Sequence, residues 1–266
     1  MLGAVHEGAV GEMNHGLEMA MAKLLQRGDN KEGQWYEEEI QDDLKLCYAL
    51  NSMVHRGTSK YQEIALVDTK RFGKALIIYG KMQSAEADEF IYHETLTHPP
   101  LLFHPKRDDK FDVIVGDLAD PIEGGPCYKL YTKCFYEQVL KPRLQDRGIF
   151  ITQAGPAGVL THEEVFSSIY NTLRHVFKHV KAYTAHVSSF SDTWGWVMAS
   201  DHPFTLTAQQ NNERIMDRID GELAYLDGET LISSTTLSKT VRLSRMYVYT
   251  EDDARIIHGH GRARYA

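Results

Sequence analysis

The chain has 266 residues, of which 42% are hydrophobic and 25% are charged, and its formal net charge is −8. These values are typical of a globular protein, and no stretch approaches the roughly 20 apolar residues that a membrane-spanning helix needs. The acidic balance disfavours a general nucleic-acid binder, whose affinity would come from a basic surface.

The charge is compatible with a small cationic substrate, although many cytosolic proteins are mildly acidic. The three cysteines contain no CxxC pair, which disfavours disulfides and a cysteine-built zinc site. No secretory signal is visible between Met1 and Asn30, so we expect a cytoplasmic protein.

Residues 1–34 are predicted to form a flexible N-terminal segment, because the short helical pattern at Glu18–Gln26 is broken by glycine. Residues 35–84 are predicted to form a small antiparallel sheet. The runs Tyr61–Asp68 and Lys74–Tyr79 are rich in β-formers and are separated by glycine turns. Leu44–Val54 fits a strand or a helix.

The pattern changes at Ser84, which could cap a helix that runs to His98 and is ended by Pro99 and Pro100. Beyond Phe111, strands and helices alternate, which predicts a mainly parallel sheet with flanking helices. The predicted strands are Phe111–Asp117, Gly148–Gln153, Val180–Val187 and Trp194–Ser200, and the predicted helices are Lys133–Leu140, His162–Phe177 and Asn212–Leu226, followed by a polar tail.

Two acids follow the first of these later strands in the sequence Gly116-Asp117-Leu118-Ala119-Asp120-Pro121. Ligands of open α/β sheets bind beyond the carboxyl ends of the strands, which is where this loop is expected. One carboxylate could accept a proton from an amine while the other holds a neighbouring ammonium. Alternatively, Asp117 caps a turn and Asp120 precedes proline for local reasons, and the residues alone leave both readings open.

The two-acid loop and several longer segments resemble the spermidine/spermine synthase family of aminopropyltransferases, and within it the plant-type thermospermine synthase branch. The resemblance runs from about Trp35 to the C-terminus. The segments that carry it are Trp35–Glu38, Tyr61–Gln62, Gly80–Glu94, Gly116–Tyr131, Gln153–Gly158, Thr184–Trp196 and Tyr249–Gly261.

The resemblance implies an α/β fold with a small N-terminal antiparallel β-sheet domain at 35–84 and a Rossmann-like, methyltransferase-type domain at 85–266. It also implies an activity, the transfer of an aminopropyl group from decarboxylated S-adenosylmethionine to spermidine, which gives thermospermine and methylthioadenosine. The attacking amine must first lose its proton, because alkylamines are protonated near pH 7. No cofactor or metal is needed, and a homodimer is expected from the family.

Roles for individual residues also follow from the resemblance. Asp117 would accept the proton; Asp120, Tyr92, Gln83 and Phe190 would bind the amine; and Gln62 and His93 would contact the nucleotide co-substrate. Phe190 stands where the family often has tyrosine, and His93 where animal members have glutamine. The alternatives are that Tyr92 and Phe190 are core aromatics and that His93 is an ordinary helix residue. His258 and His260 are interpreted as solvated rather than metal-binding.

One segment of the family pattern is absent. Leu101–Pro105 runs almost directly into Lys106–Lys110 and the next strand, although a βαβ unit needs roughly 30 residues. The glycine-rich loop that would cradle the co-substrate is therefore missing. Losing inner strands of a parallel sheet would expose apolar edges and faces, so we expect impaired stability, and we also expect weak nucleotide binding.

The shortened chain is expected to be an aminopropyltransferase, active or inactive in this form, or, as the alternative, a non-catalytic polyamine binder or dimer partner. Splicing, an incorrectly assembled gene product, an artificial deletion and a pseudoenzyme all remain open as its origin. An S-adenosylmethionine methyltransferase is disfavoured by the two-acid loop and the N-terminal sheet.

Overall fold

The computed structural model describes residues 33–60, 62–103, 111–121 and 127–251. The described strands and helices belong to one compact unit that begins at Trp35. The predictions for residues 1–32, for the junction at 105–106 and for His258 and His260 lie outside the described residues. Within these ranges, no helix has the length and apolarity that a membrane span requires.

The first sheet has five antiparallel strands in the order β1-β2-β3-β4-β5, which confirms the predicted antiparallel sheet. Leu44–Val54, which the pattern left open, lies in a strand. Gly73 and Gly80 adopt positive φ angles of 68° and 80° in the turns that flank the fourth strand, as the glycine turns predicted. The strands are β1 (Trp35–Gln41), β2 (Leu44–Thr58), β3 (Glu63–Thr69), β4 (Gly73–Ile78) and β5 (Lys81–Ala85).

The second sheet has four strands in the order β6-β7-β9-β8: β6 (Val113–Gly116), β7 (Ile149–Pro156), β8 (His179–Val187) and β9 (Asp192–Ser200). Only β6 and β7 are parallel, so the prediction of a mainly parallel sheet is wrong. The reason is local: the Ser188–Phe190 turn joins β8 directly to β9, and such a short connection permits only antiparallel pairing.

The first helix, α1 (Glu89–Phe103), differs from its prediction at both ends. Ser84 belongs to β5 instead of capping the helix, and the helix continues through Pro99 and Pro100. Pro99 cannot donate to the carbonyl of Thr95, but the buried Tyr183 hydroxyl donates to that oxygen at 3.0 Å. The packing of α1 on β8 thus supplies the partner that the proline removes.

The later helices follow the predicted order with different ends. Lys133–Leu140 forms α2 (Lys133–Phe135) and continues as a π-helical turn, Tyr136–Leu140. The other two predicted helices are shorter: α3 (Phe166–Arg174) and α4 (Ala208–Arg218). The predicted polar tail contains two further helices, α5 (Gly228–Ser234) and α6 (Lys239–Leu243), which the sequence analysis missed.

A buried apolar cluster joins the two sheets. Val67 and Ile77 of the first sheet share it with Ile151 and Met198 of the second, and each is at most 1% exposed. The predicted domain boundary near residue 85 therefore crosses a continuous core. The division into domains at 35–84 and 85–266 stays a prediction.

The strand that precedes the two acids lies at an edge of its sheet. β6 pairs only with β7 among the described strands, and Val115 is 45% exposed. An edge strand with an apolar side chain presents unpaired backbone groups to other chains. This is the exposed edge that the absence of a βαβ unit was expected to leave.

We therefore expect Val115→Lys to reduce concentration-dependent association, because a lysine on an edge strand opposes pairing with another strand. Light scattering after size-exclusion chromatography measures the effect. The control is Val139→Lys, since Val139 is similarly exposed, at 42%, but lies in the π-helical turn. Equal association of the Val115→Lys variant and the unsubstituted protein would contradict the edge-pairing argument.

Candidate functional site

Asp117 and Asp120 follow β6, at the point where the parallel pairing of β6 with β7 ends. Gly116, the last residue of β6, pairs with Thr152 of β7, so Asp117 and Gln153 come next at the same sheet edge. The Thr152 hydroxyl also donates to the Gly116 carbonyl at 2.9 Å. The acids therefore follow the carboxyl end of β6, where α/β proteins place ligands, whereas β7 continues to Pro156.

The amide of Gln153 holds the two-acid loop. Its Nε2 donates to the Leu118 carbonyl at 2.6 Å and to Asp120 Oδ1 at 3.2 Å. Its Oε1 accepts from the backbone NH of Gly155 at 2.8 Å and from the Trp194 indole at 3.3 Å. Asp120 is therefore fixed relative to β7 and β9 through one side chain.

Asp117 is held from the opposite side by α1. The Tyr92 hydroxyl donates to Asp117 Oδ1 at 2.7 Å, and Asp117 itself is exposed to solvent. The pKa of Tyr92 lies well above its ordinary value, first because the phenol is desolvated and then because of the nearby charge of Asp117. Tyr92 thus remains a neutral donor, and Asp117 keeps a free side on which an amine can approach.

Four aromatic side chains line the region next to these acids, and we call them the aromatic wall: Tyr92, Phe190, Trp194 and Trp196. The Tyr92 ring centroid lies 5.9 Å from that of Phe190 and 5.4 Å from that of Trp196. Phe190 in turn lies 4.9 Å from Trp194. Carboxylates beside aromatic rings attract organic cations, because both the charge and the ring quadrupole favour an ammonium.

Asp120 differs electrostatically from an ordinary surface acid. Desolvation raises the pKa of this half-buried residue to about 6, although the hydrogen bond from Gln153 favours the charged form and opposes the rise. A cation placed at this loop would stabilise the ionised carboxylate. The loop therefore combines an exposed acid with a desolvated one.

The structure places Asp117, Asp120, Tyr92 and Phe190 close together. The other predicted site residues contact different partners. The Gln83 amide donates to the Lys81 carbonyl at 3.3 Å, and the Gln62 backbone NH donates to the Ser59 hydroxyl at 2.9 Å. His93 pairs with Glu89, although its ring also lies 5.8 Å from that of Tyr92. No hydrogen bond or ring contact between described residues joins Gln62 or Gln83 to the two acids.

Sequence reasoning missed three members of the site: Gln153, Trp194 and Trp196. Gln153 was recognisable as a polar residue at the end of a buried strand that neighbours the two-acid strand. The tryptophans alternate with Gly195 in β9, and nothing in the sequence says that this strand pairs with β7. In the described part of the chain, no three His, Cys, Asp or Glu side chains cluster as a metal site would require.

A separate cavity of about 270 Å³ opens at the other end of the second sheet, where β7 begins and β9 ends. Its lining contains none of the predicted site residues. The residues that line it are Phe103, Arg147, Ile149, Ser200, His202, Pro203, Phe204 and Arg214.

Two family models match the chain. Residues 34–86 match the spermidine synthase tetramerisation domain, and residues 106–210 match the spermine/spermidine synthase domain. Thermospermine synthase ACAULIS5 from Arabidopsis thaliana is 50% identical over 299 residues, with 85% of this chain and 88% of the relative covered. A polyamine aminopropyltransferase from Sulfurisphaera tokodaii is 33% identical over 267 residues, with 73% and 87% covered.

The solved structures that resemble the chain have the same fold at low sequence identity. A crystal structure of spermidine synthase in complex with the transition-state analogue AdoDATO matches with a TM-score of 0.68 and 20% identity, over 81% of this chain and 97% of that one. Spermidine synthase from Thermotoga maritima matches with a TM-score of 0.65 and 18% identity, over 83% and 99%. The predicted fold class is thereby confirmed, with a mixed second sheet.

The alignments also bear on the absent segment. The 299 positions aligned with the Arabidopsis relative take in only 85% of the 266-residue chain, or about 226 residues. The 267 positions aligned with the Sulfurisphaera relative take in 73%, or about 194 residues. In each alignment, about 73 positions have no residue of this chain. This is the pattern expected when an internal segment is absent.

Asp120→Asn should increase the free energy of unfolding at pH 7.5 by about 1 kcal/mol, after allowance for solvent screening at a half-buried group. A carboxylate whose folded pKa is about 6 opposes folding once it ionises, and asparagine still accepts from Gln153. This increase in the free energy of unfolding should shrink as the pH falls below 6. It should disappear below pH 4, where the aspartate is neutral in both the folded and the unfolded state. Urea denaturation at several pH values tests this, and a pH-independent difference would contradict it.

Proposed function

Because the chain belongs to the spermine/spermidine synthase family, we propose that its two-acid loop and aromatic wall bind a polyamine for aminopropyl transfer. The chain is accordingly a transferase of polyamine biosynthesis of the thermospermine synthase type. The single observation that carries the proposal is the pair of differently held acids, with Tyr92 donating to Asp117 at 2.7 Å and Gln153 donating to Asp120 at 3.2 Å.

We assign the chemistry as follows. Spermidine gives up a proton from its attacking amine to Asp117, and the freed nitrogen lone pair attacks the carbon beside the sulfonium of decarboxylated S-adenosylmethionine. The new C–N bond forms as the C–S bond breaks, and the electron pair of that bond moves to sulfur. The products are thermospermine and methylthioadenosine. No cofactor is proposed beyond this co-substrate.

The remaining side chains position the amine. Asp120 anchors a second ammonium of spermidine, while Tyr92 and Phe190 pack beside its methylene chain. Tyr92 also orients Asp117, so that the free carboxylate oxygen faces the attacking amine. We assign Gln83 to the outer end of the amine site and Gln62 and His93 to the co-substrate, on the family resemblance alone.

A second candidate function is that of a non-catalytic polyamine-binding or dimer-partner protein. Only residues 104–112 separate α1 from β6, which is too short for a βαβ unit, and β6 is consequently an edge strand. The amine half of the site persists without the segment that would hold a nucleotide. The match of residues 34–86 to a tetramerisation domain supports assembly, and we propose a homodimer in the cytoplasm.

We expect spermidine to bind more weakly as the pH falls below 6, by about tenfold between pH 7.5 and pH 5, because protonated Asp120 no longer attracts an ammonium. Isothermal titration calorimetry measures the affinity. Asp120→Asn should weaken binding at pH 7.5 and flatten the pH profile. Asp146→Asn is the control, because Asp146 is 97% exposed and pairs with His202 of the separate cavity. An unchanged profile in Asp120→Asn would contradict the role of Asp120.

We also expect no micromolar affinity for methylthioadenosine, because the chain lacks a glycine-rich loop to hold the nucleotide. Incubation with spermidine and decarboxylated S-adenosylmethionine separates the two candidate functions. Thermospermine formation that Asp117→Asn abolishes would support the transferase, and spermidine binding without product would support the binding partner. Micromolar binding of methylthioadenosine would show that other residues replace the absent loop.

A further inference from the structure

The turn that carries Phe190 into the aromatic wall is held by one side chain of the first sheet and one from the loop before α1. Ser189, at the centre of the Ser188–Phe190 turn, is 1% exposed. Its backbone NH donates to Asp88 Oδ2 at 2.7 Å, and its carbonyl accepts from the Tyr48 hydroxyl at 3.0 Å. Tyr48 lies in β2 and Asp88 directly before α1, so both backbone polar groups of Ser189 depend on the N-terminal half of the chain.

A third side chain lies behind this contact. Glu38 Oε2 of β1 is 3.2 Å from the Tyr48 hydroxyl oxygen and accepts from the Met82 backbone NH at 3.3 Å. Glu38, Tyr48 and Asp88, which we call the Ser189 clamp, are each at most 6% exposed. Two acids are thus buried beside one turn.

The Tyr48 hydroxyl is the centre of the clamp. Its single hydrogen faces two acceptors, the Ser189 carbonyl at 3.0 Å and Glu38 Oε2 at 3.2 Å. Burial raises the pKa of Glu38, against the opposing effects of the Met82 NH, the Lys81 charge and the Tyr48 hydroxyl.

Apolar packing alone does not account for these groups. Asp88 Oδ1 is buried and has no hydrogen-bond partner in the described part of the chain, a condition that lowers stability. An apolar residue at this position would avoid that cost but would leave the Ser189 NH unpaired. The clamp therefore fixes the position of the Ser188–Phe190 turn but lowers the stability of the fold.

We propose that Glu38, Tyr48 and Asp88 are positioning residues, which hold the aromatic wall in place by fixing both backbone groups of Ser189. The proposal rests on the function proposed above for its effect on amine binding, but its structural part is independent of that function. When the clamp is opened, the Ser188–Phe190 turn shifts, and Phe190 moves relative to Trp194 and Tyr92.

Tyr48→Phe tests the structural part, because it removes the donor to Ser189 and leaves the ring. The three tryptophans are labelled as 5-fluorotryptophan, and Trp194→Phe assigns the Trp194 resonance in fluorine NMR spectra. We expect Tyr48→Phe to shift or broaden the Trp194 resonance while that of Trp35, which is 59% exposed, stays in place. Tyr128→Phe is the matched control, since it removes a hydroxyl that donates to the Thr250 carbonyl. An unchanged Trp194 resonance in Tyr48→Phe overturns the proposal, whether or not the protein binds amines.

Spermidine titration tests the effect on the site. We expect Tyr48→Phe and Asp88→Ala to weaken binding by about three- to tenfold, the range for a lost hydrogen bond. Asp88→Asn should restore binding, because its carbonyl oxygen can still accept from Ser189. Variants that lose thermal stability but bind spermidine normally overturn the proposal. If the unsubstituted protein binds no spermidine, the proposed function fails, and the fluorine spectra still decide the clamp.

Discussion

The side-chain amide of Gln153 makes four hydrogen bonds shorter than 3.5 Å, to Leu118, Asp120, Gly155 and Trp194. An amide can do this because it presents two donor hydrogens and two acceptor lone pairs in one plane. The carboxylate of Asp120, the last part of β7 and the indole of β9 are thereby fixed relative to one another. The proposed amine site depends on this constraint, because β6, which precedes the acids, has one neighbour among the described strands.

The sequence predicted the order and type of most elements but not how the strands of the second half pair. Alternation of polar and apolar residues specifies strands locally, whereas their direction depends on the connections between them. The Ser188–Phe190 turn makes β8 and β9 a hairpin, but it contains no glycine that would indicate a turn in the sequence. Pro99 and Pro100 likewise indicated a helix end, and only the tertiary contact from Tyr183 to Thr95 explains why the helix continues.

For the site, the sequence identified the residues whose chemistry is visible locally. Asp117 and Asp120 were candidates because they follow a predicted strand, although the residues alone left a local role for each open. Tyr92 and Phe190 came from the family resemblance, and the structure places them together. Gln153 was missed because its importance comes from side-chain hydrogen bonds at sequence separations of 2 to 41 residues. A role that depends on contacts so distant in sequence can be recognised only from the three-dimensional structure.

The attachment of β6 has a consequence for the dynamics of the molecule. Four residue pairs, from Val113↔Ile149 to Gly116↔Thr152, join this strand to the rest of the sheet. Detaching so short an edge requires much less free energy than global unfolding, and it would move the acids that follow it away from the wall. Amide hydrogens of β6 should accordingly exchange far sooner than those of β9. A cation bound beside the two acids would slow that exchange. The exchange rate of the β6 amide hydrogens would therefore report on ligand binding.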